Sequence, residues 1–121
     1  MISVIIPTLN EAGNLPGLLA ALRNEPTQSE IIIVDGGSCD GTVEIALSHG
    51  LCVLQASRGR GNALCMGAGR ARGDILLFLH ADSIFPARGL QRIEETLSAD
   101  PGLIGGNFRL VFDGVRDSAD G

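Results

Sequence analysis

The sequence has no lysine, no tryptophan and no tyrosine, and each absence limits what the chain can be. All nine Lys or Arg positions are arginine, so the lysine that a P-loop places on nucleotide phosphates is missing. Four phenylalanines are the whole aromatic content, and a globular core must therefore be aliphatic. A formal net charge of −5 argues against a protein that binds nucleic acid through a basic surface.

Signals for export and membrane insertion are also missing. No basic stretch precedes the first apolar run, and Pro7 follows that run at once, which is unlike a signal peptide. No apolar run approaches the length of a membrane span. Three cysteines without a C-x-x-C spacing predict reduced thiols that act as packing residues in a cytoplasmic protein, namely Cys39, Cys52 and Cys65.

Short runs of Ile, Val and Leu alternate with segments in which apolar residues recur at helical spacing. The predicted strands are residues 2–6, 31–34, 51–54, 74–79 and 108–112. The predicted helices carry four stripes, Leu15–Leu18–Leu19–Leu22, Val43–Ala46–Leu47, Leu64–Ala68–Ala71 and Leu90–Ile93–Leu97. We expect Gly50 to end the second helix, and Gly67 and Gly69 to allow close packing of the third. This order predicts one α/β domain over residues 1–121, with a mostly parallel sheet and helices on both faces.

Polar clusters follow four of the predicted strands. They are "PTLNE" (7–11), "DGGSCDGT" (35–42), "SRGRGN" (57–62) and "HADS" (80–83). Because ligands bind at the carboxyl ends of strands in such sheets, the four clusters predict one ligand site.

The stretch "FLHADS" delivers two candidate metal ligands to the end of the fourth strand. Asp82 suits Mg²⁺ or Mn²⁺, and His80, two residues earlier on the same strand face, suits Mn²⁺ better than Mg²⁺. Alternatively, Asp82 caps the following turn and His80 bonds a loop carbonyl.

The remaining polar residues have two interpretations each. Asp35 accepts hydrogen bonds from a nucleoside, or it stabilises a turn at Gly36 and Gly37. Glu11 faces the ligand, or it lies near a helix N-terminus; Asp40 is expected to be an N-cap.

Two arginines and a histidine flank predicted helices. Arg58 and Arg60 precede the third helix, where they bind a diphosphate or are solvated surface residues. His49 is expected at the end of the second helix. The nearest dinucleotide fingerprint, "GRGNAL" (59–64), has Leu64 in place of the third glycine, which disfavours NAD binding.

Taken in order, "ISVIIPTLNEAGNLPGLLAAL", "IIIVDGGSCDGT" and "RGRGNALCMGAGRARGDILLFLHADS" resemble the family 2 glycosyltransferases with the GT-A fold, over about residues 2–112. The resemblance implies a nucleotide-diphosphate-sugar donor, a divalent metal (Mn²⁺ or Mg²⁺), and inverting transfer of the sugar to an acceptor. It also implies a set of donor-binding residues, in which Asp82, with His80 as a second candidate, holds the metal. That set is Pro7, Thr8, Leu9, Asn10, Glu11, Asp35, Gly36, Arg60, Gly61, His80, Ala81 and Asp82.

The chain departs from the family pattern in three ways. Gly36 replaces the second Asp of "VDDGS", and His80 replaces the first Asp of D-x-D. The "HAD" form is similar to the bacterial radical-SAM/selenodomain-associated transferase 2 branch. The acceptor-binding half that usually supplies the catalytic base is missing, so we expect a donor-binding half whose base lies beyond Gly121.

Three functions therefore stay open: a metal-dependent glycosyltransferase, a nucleotide-binding module without catalysis, and a nucleotidyltransferase. The last would ordinarily have a Gly-rich loop with Arg and Lys after the first strand, which is absent here. The resemblance implies a cytoplasmic protein, free or peripheral to the inner membrane, and leaves a lipid-linked acceptor open. Apolar surface that the missing half would cover predicts self-association of the isolated chain.

Overall fold

Strands and helices alternate along the chain in the computed structural model. The structure describes residues 2–27, 29–56, 60–82, 88–99 and 109–112. The strands are β1 (Ile2–Thr8), β2 (Ser29–Asp35), β3 (Cys52–Gln55), β4 (Ile75–Phe78) and β5 (Arg109–Phe112). The helices are α1 (Leu15–Arg23), α2 (Thr42–Ser48), α3 (Arg60–Arg70) and α4 (Gly89–Ala99). The predicted α/β order is thus confirmed.

The five strands form one parallel sheet in the order β3-β2-β1-β4-β5. The register aligns Thr8 of β1 with Asp35 of β2, so these two strands end at the same level. On the other side, β4 pairs with β1 only as far as Ile5 and Phe78, and one further bond joins the amide of Leu79 to the Ile5 carbonyl. The chain order reverses between β1 and β4. The space beyond the carboxyl ends of these two strands is therefore the switch point, where such sheets bind ligands.

Helices cover both faces of the sheet because the residues of β1 point alternately to either side. On one face, Ile2, Val4 and Ile6 pack with α1, with Ala46 of α2 and with Leu90 of α4. The four leucines predicted for the first helix are all buried there. On the other face, Ile5 packs with residues of β2, β4 and α3. Among the described side chains, the core is aliphatic apart from Phe78, as the composition predicts.

The second helix is predicted only in part. Gly50 has the left-handed φ of 74° expected beyond a helix end, and His49 is the C-cap. Ala46 is buried, but Leu47 is 57% exposed, so its place in the core stripe was wrong. Thr42 and Ala46, four residues apart, face the core, whereas Leu47 lies about 100° further round the helix.

The expected packing of the cysteines is also wrong in two cases. Cys39 and Cys65 are exposed, and Cys52 is half-buried; all three are free thiols. Predictions for the side chains of Leu64, Leu97 and residues 108–112 lie outside the described side chains. Within the part of the chain that the structure describes, no helix is both long and apolar enough to cross a membrane.

Of the two glycines assigned to close packing in α3, only one has that role. A Cβ added at Gly67 would lie 2.3 Å from Cγ2 of Ile5, a side chain that is fully buried in the sheet. A Cβ at Gly69 would meet nothing within 4 Å. The absence of a side chain at Gly67 therefore sets how closely α3 approaches β1, whereas Gly69 was wrongly assigned.

Alanine at these two glycines is expected to have opposite effects. Gly67→Ala forces a methyl group against Ile5, and overpacking outweighs the helix propensity of alanine, so stability falls by about 1 to 2 kcal/mol. Gly69→Ala places its methyl group in open space and gains about 0.5 to 1 kcal/mol. Urea denaturation of both variants measures the difference. Equal shifts would show that α3 does not approach β1 this closely.

Candidate functional site

The site is built on the ends of β1 and β2. The amide of Gly36, just after β2, donates to the Thr8 carbonyl at 2.9 Å and extends the pairing by one residue. The loop after β1 (residues 9–14) and the loop after β2 (residues 36–41) therefore begin side by side. Leu9, Asn10 and Gly36 are exposed at this edge, whereas Thr8 is buried.

A buried carboxylate, that of Asp35, lies between the two loops and is 1% exposed. Its Oδ1 accepts the hydroxyl protons of Thr8 at 2.7 Å and of Ser38 at 2.6 Å. Its Oδ2 accepts the amides of Gly37 at 3.0 Å and of Ser38 at 2.8 Å. Burial raises the pKa of Asp35, but the bonds from Ser38, Thr8 and Gly37 outweigh burial, and the pKa is lowered. The structure thus contains the turn that was one interpretation of Asp35, while contact with a ligand remains a prediction.

Asn10 connects the two loops directly. Its amide donates to the Ser38 hydroxyl at 2.8 Å, and its side-chain oxygen Oδ1 accepts the amide of Cys39 at 2.8 Å. Its φ of 57° is in the left-handed region, which asparagine tolerates better than most residues. Asn10 therefore holds an unusual backbone turn by bonds to the other loop.

Further along, Asp40 and Thr42 attach the start of α2 to the first loop. Asp40 accepts the amide of Ala12 at 3.1 Å and both the amide and the hydroxyl of Thr42. The bond from the Thr42 hydroxyl group is the largest cause of the lowered pKa of Asp40, and the amides of Ala12 and Thr42 add to it. The N-cap of α2 is Gly41, so Asp40 binds the first helical amide from one position earlier than predicted.

The interpretation of Glu11 as a residue near a helix N-terminus agrees with its position. The amide of Glu11 donates to the Thr42 hydroxyl at 2.9 Å, and its carboxylate accepts the side-chain amide of Asn14, the N-cap of α1. Its carbonyl also accepts the amides of Asn14 and Leu15. Glu11 is thus part of the connection between the first loop and α1.

The third side of the site is the segment after β4. His80 and Asp82 are exposed, and Ala81 between them is buried. β4 ends at Phe78, and residues 81 and 82 form a turn, so the argument that His80 and Asp82 share a strand face was wrong. Both residues nevertheless follow a strand that runs parallel to β1, and they lie at the same edge of the sheet as the two loops.

The predicted donor-binding residues Arg60 and Gly61 are the first two residues of α3. This start follows β3 at the same edge of the sheet. Arg58 lies outside the described residues. Gly36 is open to substitution, since a Cβ there would meet only the Thr8 carbonyl, at 3.6 Å.

With the described residues alone, a metal at this edge would need further ligands from a bound substrate or water. No group of three or more His, Cys, Asp or Glu side chains that could hold a metal occurs within residues 2–27, 29–56, 60–82, 88–99 and 109–112. His80 and Asp82 offer one imidazole and one carboxylate, both exposed. This donor set fits Mg²⁺ or Mn²⁺ in sites where substrate phosphates and water supply the remaining ligands.

The residues that the sequence interpretation missed are Ser38 and Thr42. Each hydroxyl group bonds one residue of the loop after β1 and one acidic residue at or after the end of β2. Ser38 bonds Asn10 and Asp35, and Thr42 bonds Glu11 and Asp40. Ser and Thr in a turn-rich cluster are the signal available in the sequence, since their hydroxyl groups often bond nearby backbone. That signal does not identify partners about thirty residues away.

Residues 3–120 match the family described as Glycosyl transferase family 2. A curated relative is the undecaprenyl-phosphate 4-deoxy-4-formamido-L-arabinose transferase of Pseudomonas paraeruginosa, 32% identical over 98% of this chain and 38% of the relative. The chain spans 38% to 50% of the length of the first curated relatives it matches.

Solved structures also resemble the chain. S. aureus TarS 1–349 in complex with UDP-GlcNAc matches with a TM-score of 0.74 and 25% identity, over 81% of this chain and 31% of that protein. Glucosyl-3-phosphoglycerate synthase from Mycobacterium tuberculosis, in complex with Mn²⁺, UDP and glucosyl-3-phosphoglycerate, matches with a TM-score of 0.68 and 25% identity. That match covers 83% of this chain and 40% of the synthase.

Proposed function

Because the chain belongs to glycosyl transferase family 2, we propose that it is the donor-binding domain, residues 1–121, of a glycosyltransferase. The reaction would transfer a sugar from a nucleotide-diphosphate-sugar to an acceptor hydroxyl group. One observation carries the proposal: the loops after β1 and β2 and the segment after β4 meet at the switch point of the parallel sheet.

A uridine nucleotide is the first donor to test. TarS is described in complex with UDP-GlcNAc, and the M. tuberculosis synthase in complex with UDP and Mn²⁺. Both proteins share the fold of this chain over more than four-fifths of its length. The identity of the base stays a proposal, since Gly36 stands where the family usually has an aspartate.

We assign the donor to this edge of the sheet. The segment Pro7–Glu11 and Gly36 would line the nucleoside, and residues 80–82 would lie at the diphosphate. Arg60 opens an eleven-residue helix, and a helix N-terminus with a guanidinium group favours phosphate.

Asp82, with His80 as a second ligand, would hold a divalent metal. When bound, the metal would stabilise the negative charge of the departing nucleoside diphosphate. The single carboxylate and single imidazole leave room for diphosphate oxygens among the ligands. An imidazole ligand favours Mn²⁺ over Mg²⁺.

Inversion at the sugar carbon would need a base that takes the proton from the acceptor hydroxyl. We assign no described residue to that role.

A lipid-linked acceptor is supported by the P. paraeruginosa relative, whose name specifies undecaprenyl phosphate. A cytoplasmic location agrees with three free cysteines. Membership of the radical-SAM/selenodomain-associated branch rests on the "HAD" stretch and remains a prediction.

The test is a calorimetric titration of the 121-residue chain with UDP and with GDP, each with and without Mn²⁺. We expect UDP to bind more tightly with Mn²⁺ than without it. Ligand at about 100 times its Kd should also add about 2.7 kcal/mol to the free energy of unfolding, which a thermal shift detects. A folded chain that binds neither nucleotide under any of these conditions would overturn the proposal.

A nucleotide-binding module without transfer is the second candidate. It concerns the 121 residues alone, which span 38% to 50% of the length of the first curated relatives that they match. Hydrolysis of UDP-glucose or UDP-GlcNAc by the chain alone would exclude this candidate. Binding without hydrolysis would support it for the chain as given.

A further inference from the structure

We propose that Ser38 is a positioning residue of the donor site, which holds the loop after β1 in the conformation that the nucleotide binds. Ser38 would act through Asn10 and not by touching the donor. The inference rests on the proposed function, since it concerns how the same edge of the sheet is shaped.

Ser38 is the point at which three parts of the site meet. Its hydroxyl group donates to Oδ1 of Asp35 at 2.6 Å, and its Oγ accepts the amide of Asn10 at 2.8 Å. Its own amide goes to Oδ2 of Asp35 at 2.8 Å. One side chain therefore connects the buried carboxylate to the exposed turn at Asn10, 28 residues away in the sequence.

Four hydrogen bonds already fill the carboxylate behind Ser38. A carboxylate offers about four acceptor positions, and Thr8, Gly37 and the two groups of Ser38 fill four. A donor group that bonded Asp35 would have to displace one of these partners at a site that is 1% exposed. Asp35 thus acts on the site's surface through Ser38, its link to the exposed loop.

The turn at Asn10, the exposed end of this series of hydrogen bonds, has an unfavourable backbone conformation. Asn10 has a φ of 57°, a conformation that costs free energy for any residue other than glycine. Two bonds across the loops oppose that cost, to the Ser38 hydroxyl and from the Cys39 amide. Without Ser38, the free protein would populate other loop conformations, and the apparent affinity would fall by the fraction that is still competent.

The first experiment compares three variants of the 121-residue chain by titration with UDP and Mn²⁺. Ser38→Ala removes the hydroxyl group, and we expect affinity to fall by about tenfold, the equivalent of one lost hydrogen bond. Ser38→Thr keeps the hydroxyl group and should retain affinity within about threefold. Ser48→Ala, the matched control, removes a hydroxyl group at the opposite end of α2, where it bonds the Ile45 carbonyl and lies beside the ring of His49, and should change nothing. Circular dichroism confirms that each variant is folded at the titration temperature.

A second experiment separates positioning from direct contact. Asn10→Gly keeps the left-handed conformation accessible and removes only the bond to Cys39. If both residues hold one loop, the losses in Ser38→Ala and Asn10→Gly are less than additive in the double variant. The amides of Asn10 and Cys39 should also exchange faster in free Ser38→Ala than in the wild type. Additive losses, with unchanged exchange at both amides, would mean that Ser38 touches the donor and would overturn the inference.

Failure of the inference and failure of the proposed function look different. A wild-type chain that binds UDP as tightly as Ser38→Ala does overturns the inference alone. A folded wild-type chain that binds no nucleotide overturns the proposed function and the positioning role together. If Ser38→Thr binds UDP as weakly as Ser38→Ala does, and Asn10→Gly binds UDP as tightly as the wild type does, the positioning role is overturned as well.

Discussion

Replacing Asp35 by alanine is expected to lower the free energy of unfolding by about 3 to 5 kcal/mol. The side chain is 1% exposed, and its removal leaves two hydroxyl groups and two amides without their shared acceptor. Buried donors without partners are costly because they have also lost water. Every buried side-chain N or O atom in the described residues has a partner, so the variant would introduce a defect that the protein otherwise avoids. Urea denaturation measures the loss.

Asparagine at the same position is expected to be much milder, at about 1 to 2 kcal/mol. Its oxygen can accept the amides of Gly37 and Ser38, and its nitrogen can donate to the hydroxyl oxygens of Thr8 and Ser38. Glu44→Ala, which removes an exposed carboxylate from the first turn of α2, serves as the control and should cost no more than about 1 kcal/mol. Equal losses for Asp35→Ala and Asp35→Asn would show that the four bonds are not formed.

The comparison of wild type with Asp35→Asn also predicts a pH dependence. The pKa of Asp35 is lowered in the folded protein, so its ionised form is bound more tightly there than in the unfolded chain. The resulting stabilisation is fully present above the unfolded pKa, about 3.9, and is lost as the pH falls through the folded value. Glu30 also has a lowered pKa, as burial is outweighed by bonds from Ser3 and Arg72, but both proteins keep Glu30. The stability difference between the two proteins should therefore shrink only below about pH 4, and a difference independent of pH would contradict the network.

The sequence predicts the sheet well because most strands are buried on both faces. β1, β2 and β4 are built around short runs of Ile, Val and Leu, which have few alternatives in a chain of this length. Helix α1 is also predicted well, because its four leucines recur at helical spacing and all face the core. The assignments that failed, Leu47 and Gly69, lie on short or exposed helical surface, where spacing alone does not tell which side meets the sheet.

The site is less predictable because its bonds join residues that are distant in the sequence. Once Thr8 is known to pair with Asp35, the two loops must be neighbours, and this much follows from the strand order. Which hydroxyl group bonds which carboxylate depends on side-chain conformations that no periodicity encodes. The pair His80 and Asp82 shows the reverse error, in which strand alternation was extended as far as Asp82, four residues beyond the end of β4 at Phe78.

Asp82 is the residue that we expect to contribute most to metal binding. We expect Asp82→Ala to lower the affinity for UDP in the presence of Mn²⁺ by about 100-fold, and to leave the weaker metal-free affinity within about threefold. Losing a residue that only supports a metal ligand costs about 10- to 100-fold in affinity, so loss of a direct ligand should reach the upper end. Calorimetric titration with and without Mn²⁺ measures both values. Glu95→Ala removes one exposed carboxylate from α4 and should leave both affinities unchanged, which controls for net charge.

Substitution of His80 distinguishes coordination of a metal from an effect of net charge alone. If His80 is the second ligand, His80→Asp replaces an imidazole by a carboxylate, and preference should move from Mn²⁺ towards Mg²⁺. If only net charge matters, His80→Asp should weaken the binding of anionic UDP equally with either metal or none. An Asp82→Ala variant that keeps the full Mn²⁺-dependent affinity would contradict the metal assignment, whatever His80→Asp does. The two variants together therefore test each proposed ligand by a different observable, affinity for one and metal preference for the other.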